Sequence, residues 1–242
     1  MITYIVAFFA FAGGAATSVI CGFGMGVFTM MFLPHVMSYT LYCSAVISIV
    51  SFLQASWICW HYRKKVQWKS MVFMVLGYFI FSTLSIHYGK NISGPALELA
   101  LGIFLVVLGI YFITIASKVR LNPNKKTAFG AGCVGGVMSS LFGVGGPPAG
   151  LYYSAAFDDK EMYLGTIQSY FMITNFYVSC VRAVTGIITR EVLICACFGV
   201  AGMILGTFAG KKVFDRINAV TMKKLIYALM IFSGAVMIIQ NI

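Results

Sequence analysis

The residues best suited to holding a ligand are two glycine clusters, Gly22, Gly24 and Gly26 early in the chain and Gly143, Gly145 and Gly146 later, the second followed by Pro147 and Pro148. Glycine lets a bound group approach the backbone closely. Proline in the first turn of a helix gives up only an N–H that would be unpaired anyway. A helix that begins at such a break presents free N–H groups and the positive end of its dipole, a setting that favours an anion. Small residues also serve close packing of helices, and one cluster alone would read that way. Two clusters, each inside an overlong apolar segment, read as a site.

Several polar side chains could complete it. Gln54 and Asn175 each stand in an otherwise apolar segment, where an unpartnered amide is costly. They could donate N–H groups to anionic oxygens or simply join neighbouring helices. Gln168, Ser44, Ser48 and Ser169 share the same two segments and could line the same space, although hydroxyls commonly bond back to their own helix. Arg182 ends a segment, where it could gather or gate anions by charge; the commoner role there is snorkelling to the interface. All six carboxylates, Glu98, Asp158, Asp159, Glu161, Glu191 and Asp215, fall in loops or at segment ends, as do His35, His61 and His87. The seven cysteines form no CxxC pair or His-spaced cluster and read as small buried hydrophobes. A sulfur-transfer enzyme would need a reactive thiolate, and neither Cys21 nor Cys133 has a base or cation beside it. No catalysis, cofactor or metal is expected.

The elements that hold these residues must lie in a bilayer. Of 242 residues, 60% are hydrophobic and 10% charged, with a mean hydropathy of +0.93, more apolar surface than a water-soluble fold can hide. The formal charge of +11 comes from bases in short loops between apolar segments, which orient a chain in a membrane, so nucleic-acid binding is not expected. The N-terminal stretch lacks a basic leader and a small-residue cleavage site, and reads as structure. Trp57, Trp60 and Trp68 cluster around one basic loop as interfacial anchors.

Apolar runs fall at 3–33, 40–60, 70–88, 96–117, 127–157, 162–181, 191–210 and 218–240. The first and fifth are too long for one span and carry the glycine clusters near their middles, which predicts two half-helices in each. Shifting the chain by 121 residues lays Gly14 on Gly135, Ser18 on Ser139, Gly22 on Gly143, Gly24 on Gly145, Tyr42 on Tyr163, Ser48 on Ser169 and Gln54 on Asn175. That is a duplicated unit of 1–120 and 121–242. If all eight runs span, the halves are parallel and the 17 Lys and Arg divide ten to seven. If the two broken runs return to their own side, the second half is inverted and the division becomes fourteen to three, with only Lys90, Arg182 and Arg190 outside. The charge bias predicts the second topology: an all-α polytopic membrane protein of two inverted repeats, each a broken hairpin plus three spans, with both termini outside.

Gly22-Phe23-Gly24-Met25-Gly26 with Pro34 downstream, Gly143-Val144-Gly145-Gly146-Pro147-Pro148, and the basic loop Trp60-His61-Tyr62-Arg63-Lys64 resemble the TauE/SafE sulfite exporter family over essentially the whole chain. Met25 interrupts the fuller glycine run common in that family, and Pro147 replaces the last glycine of the second motif. The resemblance implies a multi-pass carrier of the bacterial inner membrane that moves sulfite, sulfonates or related sulfur anions, usually outward. A passive anion channel could use the same breaks, and uptake suits the same residues. The expected partners are the small anionic substrate, the lipid bilayer and, in an oligomer, further copies of the chain.

Overall fold

The computed structural model describes residues 2–37, 40–89 and 123–240, with isolated positions between 99 and 110. The expected span at 96–117, with Lys90, Lys118 and Arg120, lies almost wholly outside the described residues. Among those described, every regular element is helical: α1 (Ile2–Cys21), α2 (Met25–Met30) with a 3-10 turn at Leu33–His35, α3 (Thr40–Tyr62), α4 (Trp68–Gly89), α5 (Lys125–Phe142), α6 (Gly146–Ala156), α7 (Lys160–Val184), α8 (Arg190–Arg216) and α9 (Ala219–Gln240). Four stretches, Ile2–Cys21, Leu41–Tyr62, Trp68–Tyr88 and Arg190–Arg216, are long and apolar enough to cross a bilayer. Their outer faces carry exposed Phe9, Leu76, Leu205 and Phe208, surface that only lipid satisfies. α7 is more polar because it is enclosed: Thr166, Gln168, Ser169, Thr174 and Asn175 are all buried.

Both overlong segments break at their glycines, but not into equal halves. α1 runs 20 residues and α2 only 6; α5 runs 18 and α6 11. The break falls late because the chain turns where left-handed backbone is adopted, at Gly22 (φ 81°), Gly24 (φ 133°) and Gly143 (φ 69°). At Gly143 this closes α5 in an αL cap, with Gly143 N–H donating to the Ser139 carbonyl at 2.9 Å and Val144 N–H to that of Met138 at 3.4 Å. Polar caps begin the later helices: Asn124 and Thr127 form a capping box for α5, and Asp159 and Thr189 cap α7 and α8.

Glycine stripes set the closest packing. A Cβ at Gly202, Gly206 or Gly210 of α8 would run into the carbonyls of Phe8, Ala12 and Ala16 of α1 in turn. On the other side, Gly132 and Gly136 of α5 meet the carbonyls of Met74 and Tyr78 of α4. Residue numbers rise together in both pairs, so α1 runs parallel to α8 and α5 to α4. α3 also runs parallel to α8, through Val50 on Gly199, Trp57 on Phe208 and His61 on Lys211. α3 and α7 run antiparallel: Arg182 bonds Ser44, Ser179 bonds Ser48, Ser169 bonds Cys59, and Gly165 packs on Tyr62.

Because α1 and α3 point the same way, the chain between them turns back. Thr29 Oγ1 donates to the Ala10 carbonyl at 3.5 Å and Thr3 Oγ1 to that of Val36 at 3.4 Å, so the return arm retraces α1 to its start. Both ends of the second hairpin lie by the turn between α3 and α4. Lys125 sits over the Phe73 ring at 5.3 Å, and Asp159 pairs with Lys65 at 3.0 Å.

Candidate functional site

The two hairpin tips meet inside the bundle, so closely that a Cβ on Gly26 would strike the Gly143 carbonyl. Beside this contact lies a cavity of about 40 Å³, several times the ~10–15 Å³ that one water needs. Its wall includes Gly24 to Val27 from the first tip, Gly143 to Gly146 from the second, Ser18, Ser139, Ser51, Gln54, Tyr78, Gln168 and Asn175, with Phe23 and Phe171 as apolar sides. Ser51 and Gln54 lie near the midpoint of α3, and Gln168, Phe171 and Asn175 near that of α7. The space therefore sits at mid-depth of both helices.

Its chemistry is that of a neutral donor cage. In the first turn of α6 the Gly146 N–H, after the break at Gly145, has no carbonyl one turn earlier to accept it. With Pro147 and Pro148 next, the positive end of that dipole is concentrated on few donors. Ser18 Oγ accepts from Gln168 Nε2 at 3.1 Å and keeps its own proton to give. Ser139 Oγ likewise accepts from Tyr78 OH at 2.7 Å. Asn175 spends one amide hydrogen on its own helix, at the Phe171 carbonyl 2.9 Å away, and keeps the other. Among the described residues, no carboxylate lines the cavity.

Eight residues expected at the site line this cavity: Gly24, Gly26, Gly143, Gly145, Gly146, Gln54, Gln168 and Asn175. The amides of Gln54 and Gln168 act as helix glue and not as free donors. Gln54 Nε2 gives its hydrogens to the Ala15 carbonyl at 3.0 Å and to Thr207 Oγ1 at 2.9 Å. Gln168 Nε2 bonds the Gly22 carbonyl at 2.9 Å as well as Ser18. Gly22 thus supports the wall from behind, with Tyr163 OH donating to the neighbouring Cys21 carbonyl at 2.8 Å. Pro147 sits one residue beyond the lining. Ser169 is spent on the Gly165 carbonyl at 2.7 Å and on Cys59 Sγ at 3.1 Å.

Ser44 and Arg182 belong together, behind the cavity wall and not in its lining. Arg182 does not snorkel to the interface: its side chain is fully buried. Nη1 donates to the Ser44 carbonyl at 2.6 Å, and Nη2 to Ser44 Oγ at 2.9 Å, the Ser140 carbonyl at 2.8 Å and the Ser139 carbonyl at 3.3 Å. A cation on the last carbonyls of α5 meets the negative end of its dipole, and that is what lets the charge stay inside. Ser18 and Ser139 already matched in the 121-residue register, which is the signal that could have placed them in the wall. Tyr78 and Ser51 carried none.

Outside the bundle core the bases arrange themselves as interfacial groups. Arg63 stacks on Trp60 at 4.3 Å, and Lys211 meets His61 Nε2 at 2.9 Å and lies 5.9 Å from the Trp57 ring centre. Lys160 Nζ caps the end of α8 through the carbonyls of Phe214 and Ile217, at 2.9 and 3.2 Å. Lys65, by its hydrogen bond, and the Glu161 N–H hold the Asp159 carboxyl below its usual range.

Apolar helices around a polar cavity define a multi-pass helical membrane protein with an internal cavity. The chain belongs to the family described as Sulfite exporter TauE/SafE, whose model matches residues 6–237, and is therefore a member of a membrane transporter family. It is 21% identical over 236 residues to a protein of Cupriavidus necator named a probable sulfite/organosulfonate exporter TauE, covering 95% of this chain and 92% of that one. No solved structure matches it.

Proposed function

We propose that this protein is a secondary carrier that exports a small sulfur oxyanion or sulfonate across the bacterial cytoplasmic membrane. The observation that carries this reading is the mid-depth cavity, with the first turn of α6, Ser18, Ser139 and Asn175 as donors and no acidic group among the described residues of its wall. Its size suits a compact oxyanion, and the name of the Cupriavidus relative supplies the substrate class and the outward direction.

The architecture we propose for the task is two inverted repeats, 1–120 and 121–242, each a re-entrant hairpin and three spans. The antiparallel course of α3 and α7 supports it, since eight alternating spans would make those helices parallel. The retracing of α1 by its return arm supports it too. So does the exchange of partners, in which the long arm of each hairpin packs on a span of the other repeat, α1 on α8 and α5 on α4. Such an arrangement suits alternating access, one glycine-packed pair rocking against the other around the fixed cavity.

The test is thermal stabilisation of the purified protein by sulfite, thiosulfate, sulfate, sulfoacetate, taurine and chloride at matched ionic strength. A ligand of the folded state raises the melting temperature as its concentration exceeds its Kd. The expected result is a rise selective for one or more of the sulfur anions, abolished in Gly145→Leu and Asn175→Leu. A panel in which chloride does as well as every sulfur anion, or none has an effect, overturns the substrate class.

A further inference from the structure

Among the described residues, four buried side-chain polar atoms have no hydrogen-bond partner: Ser140 Oγ, Tyr153 OH, Tyr170 OH and Arg182 Nε. All four belong to α5, α6 or α7, and none to the first hairpin. Two of them are phenolic hydroxyls on fully buried rings, Tyr153 and Tyr170, which pack edge to face with centroids 6.2 Å apart. A buried hydroxyl without a partner costs about 1–3 kcal/mol, and phenylalanine would fill either place without that cost.

Their position gives the cost a purpose. The Tyr170 ring meets Tyr78 at 5.9 Å, nearly perpendicular, and Tyr78 OH closes the cavity wall through its 2.7 Å bond to Ser139. A Cβ placed on Gly135 would lie 3.5 Å from Tyr170 OH and 3.3 Å from the Gly145 carbonyl, so that hydroxyl stands directly behind the second hairpin tip. Tyr153, one layer further, stacks at 6.0 Å on Phe157, next to the loop whose Asp159 pairs with Lys65. The two hydroxyls thus lie between the cavity and the end of the bundle that carries the α3–α4 basic turn.

We propose that Tyr153 and Tyr170 form a second station for the transported anion, reached from the cavity when the bond between Tyr78 and Ser139 opens. The inference rests on the reading of the cavity as the anion's site. A sulfur oxyanion offers only acceptor oxygens, which match two free O–H donors. Neutral donors hold such an ion without the deep trap that a buried cation would make, which suits a place of passage.

The experiment is sulfite counterflow in proteoliposomes with wild type, Tyr153→Phe, Tyr170→Phe and the double variant, alongside their melting temperatures with and without sulfite. The expected result is a melting temperature unchanged or raised by a few degrees, a retained sulfite-induced shift, and flux reduced at least tenfold in the double variant. Phe variants that melt below wild type would mean that the hydroxyls have partners in the fold, and would overturn the station. Wild-type flux matched by both single variants and the double overturns the station alone. A wild type that moves no sulfite overturns the station together with the proposed function.

Discussion

The two hairpins share a glycine register but end their first arms by opposite means. The carbonyls at the end of α1 are met by neutral groups of α7: Tyr163 OH on Cys21, and Gln168 Nε2 on Gly22 and Ser18. The carbonyls at the end of α5 are met by a guanidinium of the same helix, Arg182 on Ser139 and Ser140. α7 therefore holds both tips, one with dipoles and the other with a charge. The unpartnered polar atoms all lie on the charged side. The two hairpins thus stand behind the cavity on chemically different supports, the first on neutral dipoles and the second on a guanidinium.

Removing each clamp measures that difference. Arg182→Met strips four hydrogen bonds from one buried side chain and orphans the α5 carbonyls. Since bonds to charged groups contribute about 1.5–3 kcal/mol each, the loss expected in denaturation of the purified protein is ~3 kcal/mol or more. Tyr163→Phe deletes the bond to Cys21 and is expected to cost about 1 kcal/mol. Equal losses would erase the contrast between the tips.

The contact between the tips comes next. Gly26→Ala drives a Cβ into the Gly143 carbonyl, and overpacking of that kind costs about 1–3 kcal/mol. Gly130→Ala is the matched control, because nothing lies within 4 Å of the added carbon. It should stabilise by about 0.5–1 kcal/mol through helix propensity alone. A Gly26→Ala variant as stable as wild type would show that the tips part easily.

A further modest effect is expected outside the membrane, where Asp159 starts α7 and pairs with Lys65. Asp159→Ala should cost about 1 kcal/mol at neutral pH, mostly through the lost cap. The folded-state carboxyl titrates below its ordinary value, so its contribution is complete above the unfolded pKa of ~4. It disappears as the pH falls through the lower folded value. Melting curves of the two proteins should converge in acid, and a constant gap would assign the effect to something other than ionisation.

Much of this was legible in the residues, and what escaped has a physical reason. The glycine clusters located the breaks because each lies within a single segment. The burial of Arg182, in place of snorkelling, escaped because the carbonyls that hold it come from α5, 42 and 43 residues away, and no local pattern records that meeting. The roles of Gln54 and Gln168 turned on which acceptors stood across the helix interface. Tyr78 gave no sign at all, being one aromatic in the apolar run of α4. Register at 121 residues pairs Gln168 with Ile47, a mismatch that already contained the unequal capping of the two tips.

The cavity measures about 40 Å³ and is bounded by backbone and short side chains. On the proposed reading of the cavity as an anion's site, an ion entering it exchanges water for N–H and O–H groups held in fixed places. Selection then favours anions that surrender water readily, and a doubly charged oxyanion meets a far higher dehydration barrier than a singly charged one of the same shape, because ion solvation grows with the square of the charge.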